Sequence, residues 1–212
     1  MHVDSLPGMP LSRWWLHAIL IPMVFGFAVL RVLTKKAYND APPIPKQAAA
    51  PNSAVLFTDT DVRAGQQVFL RYGLMENGSI WGHGAYLGPD FSTADRHRLG
   101  LAHADRLAEL GDEKPYSELG GPAQAAISEV VSGVMKINHY DASTETQQLG
   151  ELDVATFRQK NLRWTTYFRS SEANRGLKRA LITDPEELRQ LAASVAWAAW
   201  SSVPHSIRQP GR

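Results

Sequence analysis

The chain has 212 residues, with 22 Lys and Arg against 21 Asp and Glu, and no cysteine. That length holds one ordinary domain and an appendage, and the missing cysteines exclude disulfides, thiolate metal sites, iron–sulfur clusters and haem attached through Cys-x-x-Cys-His. From Ala37 to Gln190 acidic side chains outnumber basic ones by 20 to 16, the wrong sign for a nucleic-acid-binding face.

Residues 1–13 read as an N-terminal tail. The run Trp14 to Thr34, WWLHAILIPMVFGFAVLRVLT, is apolar. As a helix, about 21 residues span roughly 30 Å, the thickness of the hydrocarbon core. Residues 14–36 are therefore expected to form a transmembrane helix, with Trp14 and Trp15 at one interface and Arg31, Lys35 and Lys36 at the other. A signal peptide would place its charge before the apolar run and a small-x-small site after it. Here most of the charge follows the run, and Lys-Lys-Ala-Tyr is a poor cleavage site. Pro22 and Gly26 are tolerable in a membrane helix, and His17 reads as an interface-facing or satisfied histidine. Positive-inside counting sets Arg13 and the amino terminus against Arg31, Lys35 and Lys36, which places the C-terminal side in the cytoplasm.

Residues 37–53 read as a proline-rich linker. Asp40-Ala-Pro-Pro-Ile-Pro45 is stiff because proline fixes φ, and Gln47 to Ser53 is small and polar, as a loop would be. The remainder, 54–190 with a further segment 191–212, reads as helices. Thr58 with Asp61 opens the first, carrying Val62, Gly65, Val68, Phe69 and Tyr72 on one side. Ser92 with Asp95 opens the second, with Leu99, Ala102, His103, Arg106 and Leu110 along one stripe and Gly111 as a stop. Gly121-Pro122 starts the third, with Ala126, Ile127, Val130, Val134 and Ile137 inward. Glu151 to Phe168 is the fourth. Thr183-Asp-Pro-Glu-Glu187 starts the fifth, with Leu188, Leu191, Ala192, Val195 and Ala199 at helical spacing. No run alternates as a strand, so the soluble part is expected to be all-α. Leu191 to Trp200 is apolar but too short to span; it suits either a membrane surface or the interior of the domain.

Gly78 to Phe91 holds four glycines, one proline and three aromatics. Two readings fit. One is a ligand-binding loop with His83 as donor or metal ligand. The other is a rigid turn in which Trp81 anchors to the core, Gly82 and Gly84 turn the backbone, His83 donates a hydrogen bond, and Tyr86 and Phe91 pack. The second is favoured, since one histidine without nearby cysteine or carboxylate partners is thin support for a metal. Asp90 and Ser92 read as caps.

Tyr38-Asn-Asp-Ala-Pro-Pro-Ile-Pro45, Gly65-Gln-Gln-Val-Phe69, Gly78-Ser-Ile-Trp-Gly-His-Gly-Ala-Tyr86 and Pro89-Asp90 resemble the N-terminal region of quinol-dependent nitric oxide reductases. Asn138-His-Tyr140 with Thr144, Tyr167-Phe168, and Ala196-Trp-Ala-Ala-Trp200 with Arg208, Pro210 and Gly211 add to the likeness. The resemblance implies one N-terminal transmembrane helix followed by a cytochrome-c-like, mainly α domain that lacks its haem. Gly73-Leu-Met-Glu-Asn77 stands where the haem motif would follow the first helix, which makes Met75 a packing residue rather than an axial ligand. The remaining histidines, His83, His97, His103, His139 and His205, show no pairing suited to non-covalent haem.

The resemblance implies that in the complete enzyme two nitric oxide molecules, with two electrons and two protons, give nitrous oxide and water. The b-type haems, the non-haem iron and the quinol site are expected in a catalytic membrane core, present in cis or as a separate chain. No catalytic, cofactor or metal residue is therefore expected among these 212. The implied role is an anchor in the bacterial inner membrane, single-pass, and a periplasmic scaffold over that core, with room for a homodimer. This orientation opposes the local charge count, and a large domain can translocate despite flanking charge. The competing reading is a membrane-anchored sensor or ligand-binding domain built on the Trp81–His83–Tyr86 loop.

Overall fold

The computed structural model describes residues 14–39, 41–82, 87–112, 114–169, 174 and 176–203. The chain divides into two compact units, Met1–Ala41 and Pro42–Arg212.

In the first unit, α1 covers Trp14–Asn39, 26 residues with Pro22 inside and no residue buried. It runs three residues past the expected end. Among the described residues it is the one helix long and apolar enough to cross a membrane. At about 1.5 Å per residue it reaches roughly 39 Å, enough for the hydrocarbon core and part of both interfaces.

The second unit is mainly helical, as expected, with a small sheet. Its elements are β1 (Gln47–Ala49), β2 (Val55–Thr58), α2 (Asp59–Arg71), α3 (Leu74–Asn77), α4 (Phe91–Asp112), a 3-10 turn (Tyr116–Glu118), α5 (Gly121–Val134), β3 (Tyr140–Asp141), β4 (Thr146–Gln148), α6 (Glu151–Arg169) and α7 (Pro185–Ser201). The sheet corrects the strand-free expectation, and Gln47–Ala49, expected as loop, is one of its strands. Its order is β2-β1-β4-β3. β1 and β2 form an antiparallel hairpin with Ala48 opposite Phe57, and β1 runs parallel to β4 with Ala48 opposite Gln147. Strands of two to four residues are too short to show period-2 alternation.

Thr58 caps α2 with a full capping box, its hydroxyl accepting from the Asp61 amide while the Asp61 carboxylate accepts from the Thr58 amide. Val62, Gly65 and Val68 are buried, as the spacing predicts. Asp184 caps α7, with Pro185 in the first turn. The stretch Leu191–Trp200, which suited two settings, is buried as the middle of α7, and the expected boundary after Gln190 falls within this helix. Where α2 crosses α7, Gly65 meets the Gln190 carbonyl so closely that an added Cβ would lie 2.0 Å from the oxygen.

On α6 the buried positions are Val154, Phe157, Lys160, Trp164 and Phe168, a helical stripe with one lysine in it. Phe91, Trp164, Tyr167 and Phe168 form an aromatic cluster with centroids 5.2–6.2 Å apart. Two helix faces differ from expectation. On α4 the buried line runs through Phe91, Asp95, Ala104 and Ala108, while Arg106 and Leu110 are exposed. A charged residue on the inward side hides that face from a hydrophobic pattern. On α5 only Val131 is buried; Val130 is 52 % and Ile137, just past the helix, 54 % exposed. α5 carries apolar side chains both on its inward side, at Ile127 and Val131, and on its exposed side, at Ala126, Val130 and Val134, so periodicity does not select its face.

Candidate functional site

The glycine-rich connection between α3 and α4 is pinned at both ends. Ser79 and Asp90 form a parallel bridge, the Ser79 amide donating to the Pro89 carbonyl (3.1 Å) and the Phe91 amide to the Ser79 carbonyl (2.8 Å). Glycine is required where the backbone comes closest. A Cβ on Gly78 would lie 2.3 Å from the Phe91 ring, and one on Gly88 would lie 2.2 Å from Asn77 Oδ1. The Asn77 side chain, itself buried, accepts from Tyr167 Oη (3.2 Å) and donates to the Asn174 carbonyl (3.3 Å).

Asp90 is the hub. Its carboxylate accepts from Ser79 Oγ (2.7 Å), Ser92 Oγ (2.6 Å), the Thr93 amide (2.6 Å) and the Gly82 amide. Burial pushes this carboxyl up, but the hydrogen bonds from Ser92, Ser79 and Thr93 outweigh it and hold its pKa at about 2. The Ser92/Asp95 helix start is thus corrected. Asp90 is the residue before α4 and caps it, Ser92 lies inside its first turn, and Asp95 serves elsewhere.

Trp81, expected as a core anchor, is 47 % exposed. Its indole lies edge-on to Trp197 (5.5 Å) and donates Nε1–H to the Ala198 carbonyl (2.8 Å), while its amide donates to Ser92 Oγ (2.9 Å). Trp81 (φ 59°) and Gly82 (φ 70°) both take the left-handed conformation, natural for glycine and costly for tryptophan. His83, Gly84 and Tyr86 lie outside the described residues. The bonds around Asp90 occupy its oxygens, so this half of the loop is built for rigidity. A cleft of about 860 Å³ opens beside it, bordered by Trp81, Ser92, Arg96, His97 and Tyr116.

The position following α2 does not suit covalent haem. It carries no cysteine; Leu74 and Asn77 turn inward onto packed side chains, Phe91 beneath Gly78 and Tyr167 on Asn77. Met75, expected to pack, is 58 % exposed on the outside of this turn. Among the described residues no three His, Asp or Glu side chains cluster as a metal site.

Sequence reasoning misses a second cavity, about 510 Å³, between β4, α4, α6 and α7. Its walls carry Phe57, Leu99, Ile137, Phe157 and Trp200, and with them a polar group. Lys160 and Asp95, both buried, pair at 2.7 Å, and Arg163 approaches the other Asp95 oxygen at 3.9 Å. Burial pushes the Lys160 amine down, against the pull of Asp95. His103 Nε2 lies 3.3 Å from Asp153. Burial pushes the Asp153 carboxyl up, and the hydrogen bond from His103 with one from the Gly150 amide reverses this, so the net shift is downward. Gln147, 5 % exposed, also lines the cavity. A lysine on the apolar stripe of α6 is the available signal.

The family model for the cytochrome c-like domain of the nitric oxide reductase NorB matches residues 45–210. Among curated proteins none matches the chain.

Proposed function

Since the chain belongs to the NorB cytochrome c-like domain family of nitric oxide reductases, we propose that it anchors and scaffolds that enzyme without carrying its chemistry. In this reading α1 is embedded in the bacterial inner membrane, the second unit lies in the periplasm, and it caps a catalytic membrane core supplied in cis or by another chain. Two copies of the chain pairing as a homodimer would be compatible with this role. The observation that carries the reading is the turn after α2, where inward Leu74 and Asn77 and the Phe91–Tyr167 packing take the place a haem attachment motif would need. The Asp90 hub supports it, because a carboxylate saturated by four donors fixes a surface rather than performing a reaction.

The test is the visible absorption spectrum of the detergent-solubilised chain, oxidised and dithionite-reduced, with iron analysis on the same sample. The expected result is no Soret band and no stoichiometric iron. A Soret band that sharpens on reduction would overturn the scaffold reading. Orientation is tested separately. The chain has no cysteine, so a single Lys136→Cys on the exposed surface gives a clean label site. A membrane-impermeant maleimide that enters the periplasm should label it in intact cells; labelling only after lysis would place the domain in the cytoplasm.

A further inference from the structure

Among the described basic side chains of the second unit, Arg96, Lys160, Arg163 and Arg189 are drawn in from the surface and the rest are exposed. Lys160, Arg163 and Arg189 each have a carboxylate at 2.5–3.9 Å. Arg96, half-buried on α4, has none within 4.0 Å among the described residues. Arg163 Nη2 is sealed off without a partner, but no Arg96 nitrogen is, so the Arg96 guanidinium stays reachable. A partly desolvated charge with no opposite partner is disfavoured, and an anion beside it would relieve that cost.

Arg96 borders the 860 Å³ cleft beside the Asp90 hub. Leu101, Val131 and Met135 make much of the cleft's lining apolar, and Trp81 and Tyr116 add aromatic rings. Among the described residues no Asp or Glu lines it, and His97 is the other titratable cation there. Asp90 lies close by, with its oxygens occupied by Ser79, Ser92, Thr93 and Gly82. The lining hydroxyls of Ser92, Tyr116, Ser201 and Ser202 already donate within the fold. Arg96 therefore supplies the one permanent charge and a planar fork of donors, which matches a carboxylate. Arg96 also borders the 510 Å³ cavity, but Asp95 and Asp153 line that space and would repel an anion.

We propose that the 860 Å³ cleft binds a small monoanionic carboxylate with an apolar or aromatic body, its carboxylate on the Arg96 guanidinium and its body against Leu101, Val131 and Met135. The site does not depend on the scaffold role. The probe is 2-naphthoate, with 2-naphthamide as its neutral match, titrated into the full chain in phosphatidylcholine nanodiscs; empty nanodiscs report partition into lipid. The readout is NMR of the Trp81 indole N–H and of the Leu101 and Val131 methyls, with the Ile137 methyl reporting the other cavity. Saturable shifts at the first three are expected, with naphthoate bound roughly tenfold more tightly than naphthamide, the worth of a charge-assisted hydrogen bond. Arg96→Gln should bring naphthoate down to the affinity of naphthamide. Leu101→Glu, at an exposed position, puts a carboxylate into the cleft and should abolish naphthoate binding even if Arg96→Gln fails to fold. Equal affinity for the two probes in the unaltered chain would reduce the cleft to an apolar groove and overturn the proposal. An absence of saturable shifts would overturn it too, leaving water as the partner of Arg96, and so would shifts confined to Ile137.

Discussion

The crossing of α2 and α7 makes a sharp demand on one residue. A methyl group at position 65 would lie 2.0 Å from the Gln190 carbonyl oxygen, 2.5 Å from its carbon and 2.8 Å from Ser194 Cβ. Two of these are backbone atoms within a buried helix, so no side chain can swing aside and the helices must separate. Overpacking of this kind costs about 1–3 kcal/mol, occasionally more. Alanine recovers at most about 1 kcal/mol of helix propensity over glycine. Gly65→Ala should therefore lose a net of about 2 kcal/mol, which for a domain of this size lowers the melting temperature by roughly 4–8 °C. Gly133→Ala is the internal control. It also lies in a helix, α5, but an added Cβ there meets nothing within 4 Å, so it should gain up to about 1 kcal/mol. The assay is reversible urea unfolding of the detergent-solubilised chain, followed by far-UV circular dichroism. If Gly65→Ala were as stable as Gly133→Ala, the close crossing would be refuted, and with it the packing argument for the core.

Asp90→Ala should cost about 1–2 kcal/mol through loss of the α4 cap, and more because the buried Ser92 hydroxyl loses its acceptor. The Asp90 carboxyl sits at about 2 in the fold against an ordinary 3.8. Its contribution is thus full above about pH 4 and lost as pH falls through 2. Subtracting the acid stability profile of Asp90→Asn from that of the unaltered chain should leave a difference confined to that window; a flat difference would count against it. Lys160→Met should destabilise by about 3–5 kcal/mol because it strands buried Asp95. Pairing it with Asp95→Leu should recover most of that loss in a double-mutant cycle, and strict additivity would deny the pair. Trp81→Phe removes the Nε1–H bond to Ala198 and should cost about 1 kcal/mol, read by the same urea titration.

How much of the fold is legible in the chain depends on whether the signal is local. The starts of α2, α5 and α7 are readable because Thr58 with Asp61, Gly121-Pro122 and Asp184-Pro185 satisfy helix ends through neighbours in sequence. The family is recognisable from the Gly78–Tyr86 run because its composition is so unusual. What escapes is set by distant partners. The face of α4 is fixed by Lys160, 65 residues away, and a buried aspartate cannot be seen by counting apolar residues. The sheet is joined by one pairing across nearly a hundred positions, Gln47 with Thr146, and the strands, locally paired otherwise, are too short to declare themselves. Trp81 reads as buried because tryptophan usually is; here its indole caps the end of α7 from outside.

Two parts of the second unit obey different constraints. Around α2, α7 and the Asp90 hub, the close approaches are met by glycines and hydrogen bonds, as at Gly65, Gly78 and Asp90. Between β4, α4 and α6, by contrast, the interior holds an ion pair, a His–Asp pair and one glutamine oxygen, Gln147 Oε1, that meets no donor among the described residues. Stability alone would favour replacing such groups with apolar side chains. A scaffold needs only the first kind of region. The second kind is costly, because each charge taken out of water has to be matched by its partner. Gly65→Ala and Lys160→Met should therefore both destabilise, the first by forcing two helices apart and the second by leaving Asp95 buried without its partner.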